Sequence, residues 1–215
     1  MTNIISLLSP LVSIIIGVLP VLVFKKSKSL FGIAAASYFT AITAKEITQL
    51  SFHSFFITPS IPTYLSYGLL TAVLEPGFAY IYLVVFKPKL DIQLGLSYGV
   101  YLAFYENAIL LGLLLFPDYL ILNIPFSLTL LISHIMDRLS SLILHLFWGF
   151  SSVLAIMKKD IKYLLISMPY GMVDSLTAYI DLTRAIPPVL LSSILLIIAI
   201  SCLPIIIYEK GRISN

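Results

Sequence analysis

The chain has 215 residues, 60% of them hydrophobic and only 11% charged, with a mean hydropathy of +1.05. A soluble domain carries about 25% charged residues, so a water-soluble fold is excluded and the composition is that of a polytopic, all-α membrane protein. The net charge of +3 lies in short loops, which speaks for membrane topology rather than nucleic-acid binding.

About seven transmembrane helices are expected in one integral membrane domain, residues 1–215. The first runs over 4–24 and is closed by KKSKS. Basic residues follow this helix rather than precede it, so it reads as a retained span with its N-terminus outside. The second covers 30–56, with a more polar second half, KEITQLSFHSFF; Lys45 and Glu46 there read as a polar patch near the helix end. The third runs over 62–86 and stops at KPK, and the fourth over 92–116, stopping at PDY. The segment 120–135 is apolar, short and contains Pro125, and is placed on the outer surface or as a re-entrant hairpin. The fifth helix starts at Asp137 and ends at Met157, the sixth covers 163–180 and the seventh 189–208. The single cysteine, Cys202, reads as a small packing residue.

Charge assigns the orientation. With the N-terminus outside and the C-terminus inside, the inner loops hold Lys25, Lys26, Lys28, Lys87, Lys89, Lys158, Lys159, Lys162, Lys210 and Arg212. Arg184 is the clear outer exception, so the pattern follows the positive-inside rule. A multi-pass protein of the cell membrane is expected.

Against this apolar background four ionisable residues stand inside four different spans: Glu75, Glu106, His145 and Asp174. An isolated charge at the bilayer centre costs roughly 3 kcal/mol on the insertion scale. The residues fall between roughly 9 and 20 Å below the outer helix ends, so they can share one layer and gather around one buried site. Such a set can hold a metal or move protons; equally, the carboxyls can stay protonated and hydrogen-bond between helices. Tyr170 lies four residues before Asp174, on the same helical face. Arg138 and Ser141 continue a polar stripe with His145. His53 and His134 read as structural residues near the interfaces.

These segments resemble the YhfC and PrsW group of intramembrane metalloproteases, distant relatives of the CAAX prenyl endopeptidases. The resemblance rests on Glu75 in LEPGFAY, Glu106 in GLSYGVYLAFYENAILLG, Asp137, Arg138 and His145 in DRLSSLILHLFWGF, and Tyr170 with Asp174 in YGMVD. Where the family has paired glutamates followed by a basic residue, Glu75 stands between Leu74 and Pro76. Where it has a histidine, this chain has Tyr170. The resemblance implies metal-assisted hydrolysis of a membrane-embedded peptide or protein. Its metal, zinc or another divalent ion, would be held by Glu106, His145 and Asp174, with Glu75 as general base. The alternative expectation is a non-enzymatic membrane protein, a small-solute binding subunit or a partner-binding scaffold, whose polar residues bind solute or join helices.

Overall fold

A computed structural model describes residues 4–24, 28–122 and 126–214. Lys25, Lys26 and Pro125, used above for topology and for the 120–135 segment, lie outside the described residues. Among those described, every regular element is helical. A 3₁₀ turn at Ile4–Leu7 leads into α1 (Leu8–Val23), followed by α2 (Lys28–Ser51), the short α3 (His53–Phe56) and α4 (Ile61–Phe86). Next, α5 (Ile92–Phe104) continues as a π-helical stretch, Tyr105–Leu114, and ends in α6 (Phe116–Ile121). The 31-residue α7 spans Leu128–Lys158. Two short helices, α8 (Lys162–Ser167) and α9 (Val173–Thr183), are joined by a 3₁₀ turn at Met168–Met172, and α10 (Pro188–Ile200) and α11 (Leu203–Ser214) complete the chain.

Polar residues mark where the apolar rods begin and end. Ser60 accepts the Thr63 amide at the start of α4, Asp91 accepts the Leu94 amide before α5, and Ser127 accepts the Leu130 amide before α7. Each satisfies an amide that the first helical turn leaves free. At the other ends, Lys87, Lys159 and Arg184 adopt left-handed conformations with φ of 46°, 52° and 52°. A basic residue there also complements the negative end of the helix dipole.

Five helical segments are long and apolar enough to cross a membrane: Ile5–Val23, Ile61–Phe86, Ile92–Tyr119, Leu128–Lys158 and Pro188–Arg212. The second half of α2 is more polar, and residues 162–183 are divided into helices of 6 and 11 residues. The expected boundaries change in four places, the first being this division of the expected sixth helix. The expected second helix breaks at Phe52, so that α3 is a separate turn. The expected last helix breaks at Ser201 and Cys202, between α10 and α11. The largest change is at 120–135: residues 128–135 are not a hairpin but the first two turns of α7, which runs through Asp137 without interruption. The Ser127 cap opens this helix, and Ser133 and Ser140 are accommodated in it, buried and with their hydroxyls bonded to carbonyls one turn earlier.

The long α7 is the central rod, packed against α1, α4, α5 and α10. Its crossing with α5 is backbone on backbone. A Cβ on Gly149 would come within 2.6 Å of the Gly99 Cα, and one on Gly99 within 2.5 Å of the Leu146 Cα. Only glycine allows this approach. It brings α5 directly onto the turn of α7 that carries His145. A similar approach seats the 3₁₀ turn on α4, where a Cβ on Gly171 would meet the Ala72 amide nitrogen at 2.5 Å.

Candidate functional site

Polar side chains from α2, α4, the π-helical stretch, α7 and α9 line one cavity of about 340 Å³. On α2, Tyr38, Ile42 and Lys45 recur on one face and reach it; on α4, Thr71 and Glu75 do, one turn apart. Leu144, Trp148, Leu191 and Leu195 form an apolar wall.

His145 is the hub and is only 2% exposed. Its Nδ1 lies 2.9 Å from the carbonyl oxygen of Ser141, one turn earlier on α7. A carbonyl only accepts, so Nδ1 carries a proton and donates, which fixes the ring orientation. The opposite nitrogen, Nε2, lies 3.4 Å from Glu75 Oε2 and 3.4 Å from Glu106 Oε2. Neither contact has hydrogen-bond geometry, and Nε2 is buried with no hydrogen-bond partner among the described residues. A neutral imidazole would therefore aim its lone pair at two carboxylates. That arrangement repels itself unless Nε2 also carries a proton, making an imidazolium paired with both carboxylates, or a cation lies between the three groups.

The spacing suits such a cation. Zinc binds nitrogen and carboxylate oxygen at about 2.0–2.2 Å, and a tetrahedron with arms of that length has edges of about 3.4 Å. Two of the three edges match, and all three ligand atoms lie within 4.8 Å of one another. The Trp148 ring meets the imidazole edge-to-face at 5.0 Å and shields it.

Charged neighbours hold the two glutamates from outside. Lys45 Nζ donates to Glu75 Oε1 at 2.7 Å and to Asp174 Oδ2 at 3.4 Å. Thr71 donates to the same Asp174 oxygen. On the other side, Arg138 Nη1 donates to Glu106 Oε1 at 3.4 Å and to Asn107 Oδ1 at 3.3 Å, while Asn107 Nδ2 donates to the Arg138 carbonyl at 3.1 Å. Each glutamate thus has one oxygen held by a cation and the other turned to His145. The wider π-helical winding explains why Glu106 and Asn107, adjacent in sequence, both reach α7; in an α-helix neighbouring side chains diverge by about 100°.

The charges of the cavity leave a deficit. Lys45 and Arg138 face Glu75, Glu106, Asp137 and Asp174, with the exposed Glu46 also in the lining. With the carboxyls ionised and His145 neutral, the four inner carboxylates exceed the two cations by two negative charges. One divalent ion would neutralise that excess, and buried charge is tolerated when it is paired.

The four intramembrane residues singled out in the sequence line this cavity, but not in one group. Glu75, Glu106 and His145 form the compact set, and Asp174 stands on the far side of Lys45. Arg138 is bound to Glu106, and Asp137 lies on the cavity wall. Tyr170 is elsewhere: its ring packs edge-to-face on Phe147 and its hydroxyl accepts from Ser201 Oγ at 3.3 Å. The 3₁₀ turn explains this, because Tyr170 and Asp174 do not share one α-helical face across it. Lys45, named from the sequence only as part of a polar patch, belongs to the site, as do Thr71 and Asn107, which were not singled out. The signals were present: Thr71 lies four residues before Glu75, and Tyr38 and Lys45 are seven apart on one face of α2.

No family model, curated protein or solved structure matches this chain.

Proposed function

We propose that this is a multi-pass membrane protein and a metal-dependent intramembrane peptide hydrolase of the YhfC and PrsW kind. In this reading about seven segments cross the membrane, with α2 and the α8–α9 rod added to the five apolar helices. The N-terminus lies outside and the C-terminus inside. The observation that carries the metal is the unpartnered Nε2 of His145, held 3.4 Å from one oxygen of each of two glutamates.

The geometry favours a division of labour different from the one the resemblance implies. Glu75, Glu106 and His145 would hold the divalent ion, zinc or another metal that takes one nitrogen and two carboxylate donors, and the ion would supply an activated water at neutral pH. Asp174 takes the base role: it is held by Thr71 and Lys45 outside the ligand set, and its side chain is 36% accessible from the cavity. Lys45, bound to both carboxylates, orients Glu75 and Asp174 toward the same water. The substrate is a peptide segment within the bilayer.

The alternative is a non-enzymatic polar cluster that binds a small solute or joins helices. It is favoured by the two ion pairs Lys45–Glu75 and Arg138–Glu106, which already compensate both glutamates. Elemental analysis of the purified protein after metal resupply separates the two readings. Unit stoichiometry in the wild type, lost in Glu75→Gln and His145→Ala but retained in Asp174→Asn, supports the hydrolase. Retention of metal by Asp174→Asn should accompany a fall in peptide cleavage of about 10²–10⁴-fold. A protein that binds no metal under these conditions would be the non-enzymatic cluster.

A further inference from the structure

A second polar recess, of about 220 Å³, lies beside the metal-site cavity. Ser6, Ser9, Tyr119, Ser133, His134 and Asp137 contribute its polar lining. They come from the start of the chain, α6 and the first turns of α7, all at the end of the bundle that the proposed topology places outside. Asp137 is common to both linings, so its carboxyl forms a shared wall between recess and cavity. The next residue, Arg138, already binds the ligand Glu106.

Two properties mark this recess as wet and selective. A buried water needs only about 10–15 Å³ and two or more polar partners, so the recess has room for several waters beside its hydroxyls. Its inner wall carries Asp137 Oδ1, a buried oxygen with no hydrogen-bond partner among the described residues. A buried carboxylate oxygen without a partner is costly unless water or a cation meets it. No lysine or arginine lines the recess among the described residues.

We propose that this recess is the aqueous approach to the metal centre, and that Asp137 is its cation-selective wall, passing water and a hydrated divalent ion from the outer surface to Glu106 and His145. The inference rests on the metal reading for its cargo, but not for its wetness or charge.

The test uses the chain's cysteine content. Cys202 is the only cysteine and is fully buried, so Ser133→Cys places a single thiol in the recess lining, one that reacts if the recess admits solvent and reagent. A cationic thiosulfonate should modify that thiol about tenfold faster than an anionic one of similar size, because Asp137 is a fixed negative charge in a poorly screened site. Adding Asp137→Asn should bring the ratio close to one. Once Ser133→Cys is modified, uptake of Co²⁺, used as the metal probe, should slow at least about tenfold, since the path is filled. Ser127→Cys, at the rim of the same recess, replaces Ser133→Cys if that variant folds poorly. Absence of modification at both positions, equal rates for the two reagents, or unchanged Co²⁺ uptake after modification would each overturn the proposal. If the unmodified protein binds no Co²⁺, the metal centre itself is refuted and the recess has no ion to deliver. The labelling ratio, which needs no metal, tells that failure from a dry recess.

Discussion

Replacing Lys45 by methionine removes the cation that joins Glu75 to Asp174 and keeps the length and apolar stem of the side chain. The two partners weigh differently. Lys45 and Glu75 are both enclosed, with side chains 14% and 7% exposed, and they touch at 2.7 Å. Asp174, at 3.4 Å, is 36% exposed, so solvent screens its loss of a partner. Stripping one member from a buried pair costs about 3–5 kcal/mol, because the other charge stays behind uncompensated. With the Asp174 contact discounted, the lower figure applies. For a chain of this size about 3 kcal/mol corresponds to a fall in Tm of about 6–12 °C. The metal reading adds a second expectation. A divalent ion on Glu75 neutralises the charge that Lys45 no longer meets, so excess Zn²⁺ should recover most of the lost Tm in Lys45→Met and much less in Lys45→Met combined with Glu75→Gln. Thermal unfolding of the detergent-solubilised protein, with chelator and with Zn²⁺, measures both. A Tm change below about 2 °C, or one that Zn²⁺ does not reverse, would refute the placement of Lys45 as a charge partner of a metal ligand.

Gly149→Ala should lower Tm by several degrees, an overpacking cost of about 1–3 kcal/mol, and should weaken Co²⁺ binding by separating His145 from Glu106. Gly77→Ala is its control, since a Cβ there meets nothing within 4 Å, and should leave both measurements unchanged or raise Tm slightly. Tyr170→His should create no additional metal binding in a Co²⁺ titration, because the side chain faces Ser201 and Phe147 rather than the cavity. A reporter protein appended to the C-terminus should be active on the cytoplasmic side, and one inserted in the 57–60 loop on the outer side, as scored by activity in whole cells.

The all-helical architecture and its long apolar segments were legible because apolar tracts obey simple rules of length. Those rules located Glu75, Glu106, His145 and Asp174 as polar residues where lipid would exclude them. They failed where a residue was weighed by its neighbour in sequence rather than by its face. Lys45 was read with Glu46 only as a polar patch near the end of its helix, whereas its partners lie on α4 and α9. Asn107 stood beside Glu106 and drew no attention, yet it is fully buried and bonds to Arg138. Periodicity assumes α-helical winding, so it mispositioned residues around the two non-α segments. At Tyr170 it implied an alignment with Asp174 that the 3₁₀ turn removes. At Tyr105–Leu114 it could not foresee that two consecutive side chains would reach one neighbour.

That π-helical stretch gives the site an uneven mechanical character. His145 rides on a rod clamped by the glycine crossing with α5, where backbone meets backbone and no side chain is present to yield. Glu106 rides on ten residues wound more loosely than the α-helix on which it continues. Of the three proposed ligands, one is therefore anchored like a fixed jaw and another is mounted on a compliant arm. If the proposed ion binds, one larger or smaller than the resting gap would be accommodated by rewinding that arm, while the histidine holds its station.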